Sequence, residues 1–146
     1  MFPNSYKKLL KYPSYCKKYA DKIISHENKS THIAYNVDKC AVRQIKVDGD
    51  ILKRNDNSQC RADYLILNMN KKTAYIIELK GVDIKHAFEQ IENTDEHLQK
   101  ALAGHKIYWR VVYCSRSLKM RSNKINKYLK NHKQLKIGNR LMEEDI

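Results

Sequence analysis

No apolar run in this chain approaches the roughly 20 residues that a helix needs to cross a bilayer. The N-terminal stretch MFPNSYKKLLKYPSYCKKYA is basic, but it has no apolar h-region and no cleavage-site pattern, so it does not read as a secretory signal. These absences point to a cytoplasmic chain with no membrane partner. The four cysteines, Cys16, Cys40, Cys60 and Cys114, form no CxxC pair and no Cys/His cluster at zinc-finger spacing. They are expected to be reduced thiols in or near a core. A zinc shared by Cys40, Cys60 and a histidine is the alternative. There is no internal repeat, no Walker loop and no dinucleotide fingerprint.

Negative charge is missing from long parts of the chain. No Asp or Glu occurs between Glu96 and Glu143, whereas eleven Lys and Arg lie from Lys106 to Arg140. The first twenty residues hold five lysines and no acid. The formal net charge is +13 over 146 residues, and most acids sit in the middle. A basic rim around an acidic centre suits a polyanionic partner, with phosphates on the rim and metal at the centre. The length and the 42% hydrophobic content fit one domain, residues 1–146, around one core.

What is present centres on Cys60 to Gly81, CRADYLILNMNKKTAYIIELKG. Tyr64–Leu67 and Thr73–Leu79 are β-rich apolar runs joined by the polar break Asn68–Lys72, which predicts a hairpin. Asp63 opens the first strand; Glu78 and Lys80 close the second, and alternation puts those two on one face. Antiparallel pairing brings Asp63 to the Glu78–Lys80 end. Two carboxylates at close range favour a cation between them, and hard oxygen ligands suit Mg²⁺ or Mn²⁺ sharing phosphate oxygens with a substrate. An adjacent lysine can steady developing charge. An acid-x-Lys pair alone is an ordinary solvated salt bridge; the weight comes from the acid, hairpin, acid-x-Lys, glycine and helix in succession.

This succession resembles the signature of the PD-(D/E)xK, or restriction-endonuclease-like, nuclease superfamily. The resemblance covers roughly Ala41 to Cys114; Ala62 stands where many members have proline, and Gln90 resembles a glutamine carried by several branches. It implies an α/β restriction-endonuclease-like core: a helix, a three-stranded antiparallel meander, a helix and a further strand, with a basic C-terminal helix added here. It also implies a Mg²⁺-dependent endonuclease that leaves a 5′-phosphate. Asp63 and Glu78 would bind metal with the Leu79 carbonyl, Lys80 would position or activate water, and Gln90 would assist.

Around this centre, Ser5 to about His26 reads as helical with a break at Pro13, and Asn28–Lys39 as polar and irregular. Glu27 and Asp21 are weak candidates for an additional acid. The meander strands are Ala41–Val47, Arg61–Leu67 and Thr73–Lys80, with a turn at Asp48-Gly49 and a loop at Asn55–Ser58. Asp83 would cap a helix from Ile84 to about Ala103, with Gly104 as its stop. His86, Gln90, Thr94 and His97 line one flank of that helix.

Ile107–Cys114 reads as a strand parallel to the one before the helix, with Arg110 emerging at the sheet edge and Trp109 in or near the core. Asn123–Gln134 reads as an amphipathic helix with Ile125, Tyr128, Leu129 and His132 inward. Arg116, Lys119, Arg121, Lys124, Lys127 and Lys130 are the expected phosphate contacts. Leu135–Ile137 reads as an edge strand and Met142–Ile146 as a frayed tail. Tyr6, Tyr12, Tyr15 and Tyr19, interleaved with lysines, would either pack a half-buried helix or stack on bases.

Three functions remain open at this level. The first is a nuclease acting on DNA before RNA, as a homodimer if both strands of a duplex are cut. The second is a catalytically silent nucleic-acid-binding subunit on the same fold. The third is a protein-binding toxin or host-takeover factor.

Overall fold

The computed structural model describes residues 2–53, 61–80, 84–114 and 123–146. The loop at Asn55–Ser58, Cys60, the Asp83 cap and the basic residues Arg116, Lys119 and Arg121 lie outside the described residues, as do the side chains of Lys80 and Lys124.

The fold is α/β, with two sheets and few helices. The chain runs α1 (Tyr6–Leu9), β1 (Lys22–Glu27), β2 (Ser30–Tyr35), β3 (Val42–Lys46), β4 (Tyr64–Asn68), β5 (Thr73–Lys80), α2 (Ile84–Leu98), β6 (Lys106–Tyr113), α3 (Asn123–Asn131), β7 (Leu135–Asn139) and β8 (Leu141–Asp145). The main sheet has the order β3-β4-β5-β6-β7; β3, β4 and β5 form an antiparallel meander, and β6 and β7 join in parallel. The parallel joins follow from the connections through α2 and α3. The second sheet has the order β1-β2-β8.

Every residue of β4 is buried. This explains its continuous apolar run, because a strand covered on both faces has no solvent side for polar residues. One face of the main sheet packs Leu65, Leu67, Ala74, Ile76 and Val111 with Phe88, Ile91 and Leu98 of α2. The other packs Tyr64, Ile66, Tyr75, Ile77 and Val112 with Ile23, Ala34 and Ile146 of the second sheet. The β4–β5 turn is closed by Asn68, whose Oδ1 accepts from Lys71 N at 3.1 Å, and by Lys72 at φ 52. The Asp48-Gly49 turn forms as expected, with Gly49 at φ 117, a value that L side chains rarely adopt.

The second sheet overturns three expectations. The helix expected across Ser5–His26 is only α1, capped by the Ser5 side chain, which accepts from Lys8 N. Beyond Pro13 the chain lies along the free edge of β3, with Tyr15 N donating to Gln44 O at 2.9 Å and Val42 N to Lys18 O at 2.7 Å. It then enters β1. Ile23 and Ser25 point inward and Ile24 outward, so a pair of isoleucines that suits a helix is split across two faces. The segment expected to be irregular after Asn28 is β2, reached through Asn28 at φ 53. The expected frayed tail is β8, parallel to β2, with Ile146 buried. The second helix also ends earlier than Ala103, at Leu98, and turns lead to Gly104 at φ 82.

Arg110 does not emerge at the sheet edge: it is 3% exposed. Its Nε donates to both oxygens of Glu144, at 3.0 and 2.7 Å, and its Nη1 donates to the carbonyls of Trp109 and Gln134. The guanidinium also lies over Tyr75 and Tyr108. His32 of β2, fully buried, contacts Glu144 through Nε2 at 2.7 Å. Glu144 therefore joins the two sheets. Burial alone would raise its pKa, but hydrogen bonds and charge from His32 and Arg110 outweigh burial and lower it from 4.5 to about 2.

A group depressed in this way stabilises the fold above its ordinary pKa and loses that contribution as pH falls through the folded value. Unfolding free energy should therefore fall as pH is lowered from about 4.5 to about 2, and Glu144→Gln should flatten that fall. Glu144→Ala should destabilise by about 3 kcal/mol at neutral pH in denaturant titrations, because it strands a buried guanidinium.

Candidate functional site

Asp63 sits at a break in the β4–β5 ladder. The ladder pairs Tyr64 with Ile77, yet Asp63 N also donates to Ile77 O at 3.0 Å. Two residues of one strand thus face one residue of the other, which is a β-bulge. The packing shows the same break. Ala62 belongs to the α2-facing core with Leu65 and Leu67, although unbroken alternation would put it opposite them. The bulge turns the Asp63 carboxylate toward the edge of β5, where Oδ2 accepts from Leu79 N at 2.7 Å. Asp63 therefore touches the residue between Glu78 and Lys80, the end of the hairpin at which the sequence places it.

Glu78 is 1% exposed and shares the α2-facing side with Ala74 and Ile76 by alternation along β5. A glutamate this deep is uncommon in a core. Lys80 closes β5 in register with Tyr113. An extended residue sends its N–H and C=O to the same side of the strand, so the Leu79 carbonyl leaves β5 toward Asp63. Two carboxylates and one carbonyl offer hard oxygens only, a donor set that fits Mg²⁺ completed by water. A carboxylate that accepts one N–H still has lone pairs for a cation. Among the described residues, no group of three or more His, Cys, Asp or Glu converges as a metal site.

Helix α2 holds the bulge in place. Gln90 Nε2 donates to Arg61 O at 3.1 Å, and Thr94 Oγ1 accepts from Ala62 N at 2.9 Å while donating to Gln90 O. Arg61 reaches back to Asp48 at 2.8 Å, and Val47 N donates to Asp63 O. Residues 61–63 are thus gripped from both sides. Gln90 is near the centre as expected, with its amide nitrogen spent on the backbone leading to Asp63. His86 and His97, on the same helix, turn elsewhere: His86 lies 3.9 Å from Glu89, and His97 stacks on Phe2. The chain matches no family model, no curated protein and no solved structure.

The expected phosphate contacts divide. Lys127 and Lys130 are exposed on α3, as expected, whereas Leu129, expected inward, is 36% exposed. Trp109 is buried, with Nε1 donating to Asp95 at 2.6 Å, which makes it a core residue. Tyr15 and Tyr19 are 48% and 60% exposed beside Lys46 and Lys18, so these two do not pack a helix, whereas Tyr6 lies on α1 and, with Tyr12, packs half-buried against the core. Glu27, at the end of β1, and Asp63 both act on Tyr64, whose phenol is pushed up first by burial and then by these two carboxylates. Sequence reasoning missed the bulge and the clamp by Thr94. The signal was present: Arg61 and Asp63 share a parity with Leu65 and Leu67, which no unbroken buried strand would tolerate.

Thr94→Val removes the acceptor for Ala62 N and leaves a buried donor unmet. It should cost about 1–3 kcal/mol in denaturant unfolding and loosen the Asp63 amide in hydrogen exchange.

Proposed function

We propose that this chain is a metal-dependent nuclease that hydrolyses phosphodiester bonds, of DNA before RNA, on a restriction-endonuclease-like core. The observation that carries the reading is the contact of Asp63 with Leu79 beside the buried Glu78. It joins the two acids of the resemblance at one strand end, on a bulge of the kind that re-aims side chains next to active sites. In this reading Asp63, Glu78 and the Leu79 carbonyl would hold Mg²⁺, which would supply Lewis-acid stabilisation of the phosphate when bound. Lys80 would position or activate the attacking water. Gln90 and Thr94 hold the strand that carries Asp63. Exposed Lys127 and Lys130 take phosphates of the strand.

The second reading is a silent nucleic-acid-binding subunit. It draws support from the engagement of the Gln90 amide with a backbone carbonyl. A protein-binding role through the β3 edge draws less support, because residues 15–18 already cover that edge.

Cleavage of plasmid, linear duplex, single-stranded DNA and RNA with Mg²⁺ or Mn²⁺ tests the leading reading. Wild type should cut and leave 5′-phosphates. Glu78→Ala should lose about a thousandfold or more in rate while still binding nucleic acid. Binding without cleavage by either protein would favour the silent subunit. Lys127→Ala and Lys130→Ala should each lower the slope of log affinity against log salt by about 1.

A further inference from the structure

Helices α2 and α3 cover the same face of the main sheet, as the two successive crossovers require. Between them opens a cavity of about 540 Å³. That volume lies in the range of about 300–1,000 Å³ typical of small-ligand sites. Ile84, Phe88 and Ile125 make its apolar part. Tyr128 and His132 make an aromatic wall: Tyr128 stacks on Phe88 with ring centroids 4.4 Å apart, and His132 lies 5.6 Å from Tyr128. Exposed Lys85 and Lys127 border it from the two helices. Glu92 lies on the wall, 3.8 Å from His132.

One wall of the cavity starts close in sequence to the candidate site. Helix α2 begins at Ile84, shortly after Lys80 ends β5, and α3 follows β6 from Tyr113, the register partner of Lys80. Ile84, Phe88 and Ile125 all come from the first two turns of these helices.

The chemistry selects among occupants. An apolar cleft with aromatic rings suits a planar heterocycle. Two lysines at its border, one from each helix, suit an attached anion, and a chain of net charge +13 already attracts polyanions. A half-buried carboxylate on the wall can accept an N–H from a heterocycle edge. These features together describe one nucleotide.

We infer that the groove between α2 and α3 holds one unpaired nucleotide of a nucleic-acid strand, base against Tyr128 and His132 and phosphate between Lys85 and Lys127. The inference rests on the nuclease reading for the identity of the strand, and it deepens that reading by naming the substrate class: single strands or frayed ends rather than blunt duplex. A base inside a duplex cannot enter a cleft between helices without leaving its stack.

Trp109 reports on the groove, because its ring lies 4.6 Å from that of His132 and it is the only tryptophan. The full chain, without divalent metal, is titrated with thymidine 5′-monophosphate while Trp109 fluorescence is followed. A saturable change is expected. Affinity should fall about tenfold for thymidine without its phosphate, for Lys127→Glu and for Tyr128→Ala. Lys127→Glu alters an exposed side chain and so keeps the test valid if Tyr128→Ala folds poorly.

Wild type should then bind a single-stranded oligonucleotide about tenfold or more tighter than the blunt duplex of the same sequence, and Lys127→Glu should narrow that gap. No saturable change, equal affinity for thymidine and its monophosphate, or equal affinity for strand and duplex would overturn the inference. Cleavage with Mg²⁺ is scored separately for wild type and Glu78→Gln. A chain that binds the monophosphate but cuts nothing keeps the groove and loses the nuclease. A chain that cuts but does not bind it keeps the nuclease and loses the groove.

Discussion

Strands β4 and β5 are covered on both faces, by α2 on one side and by the second sheet on the other, so no polar side chain along them can simply turn to water. This double burial governs the rest of the molecule. It explains why the two strands read as apolar runs, and why the charged residues collect at one end, away from the turn that Asn68 closes. Asp63 escapes the core through a bulge, and Glu78 stays on the α2 side at 1% exposure. Charge at this end is therefore held by the fold rather than scattered over a surface, which gives the short Asp63, Glu78, Lys80 pattern its chemical weight.

The second sheet needs its own means of docking on the first. Apolar packing through Ile23, Ala34 and Ile146 supplies area without direction. Direction comes from Arg110, Glu144 and His32, which join β6, β8 and β2 within hydrogen-bond distance. A buried ion network of this kind seldom stabilises more than an apolar replacement would, but it disfavours any arrangement that leaves one member unpaired. It thereby sets which part of the second sheet lies over which part of the first. The late strand β8 and the early strand β2 lie side by side through their parallel ladder, which brings His32 to Glu144 across more than a hundred residues of sequence.

The ingredients of the candidate site were legible in the sequence, and so was the strand end at which they meet, but not the backbone geometry that brings them there. A hairpin with an acid at its start and an acid-x-Lys at its end predicts that Asp63 meets Glu78–Lys80, and the Asp63–Leu79 hydrogen bond agrees. The bulge that produces the contact was not read, because unbroken alternation is the simplest pattern a strand can have. The role of Thr94 was not read either. Its position on the flank of α2 was clear, but its partner, the Ala62 N–H, is a backbone group that carries no sequence signature. Tyr15 and Tyr19 lie along a strand edge rather than on a helix, where the chain after Pro13 blunts β3.

Elements whose stability is local, or follows one dominant period, can be read from their own residues. These are the β4–β5 hairpin, the apolar stripe of α2, the parallel return of β6 and the lysine-bearing face of α3. Each is written in contiguous residues, and connection length and handedness leave few ways to join them. Strands β1, β2 and β8 instead depend on long-range packing. Their apolar residues are sparse, adjacent in pairs or set among charges, and they become strands only when the other face of the main sheet offers a surface to bury them. Long-range packing likewise decides that Arg110 is interior, since a guanidinium can be buried only where a carboxylate from a distant strand meets it. Local preference is a weak force beside burial, and burial depends on parts of the chain that no short window contains.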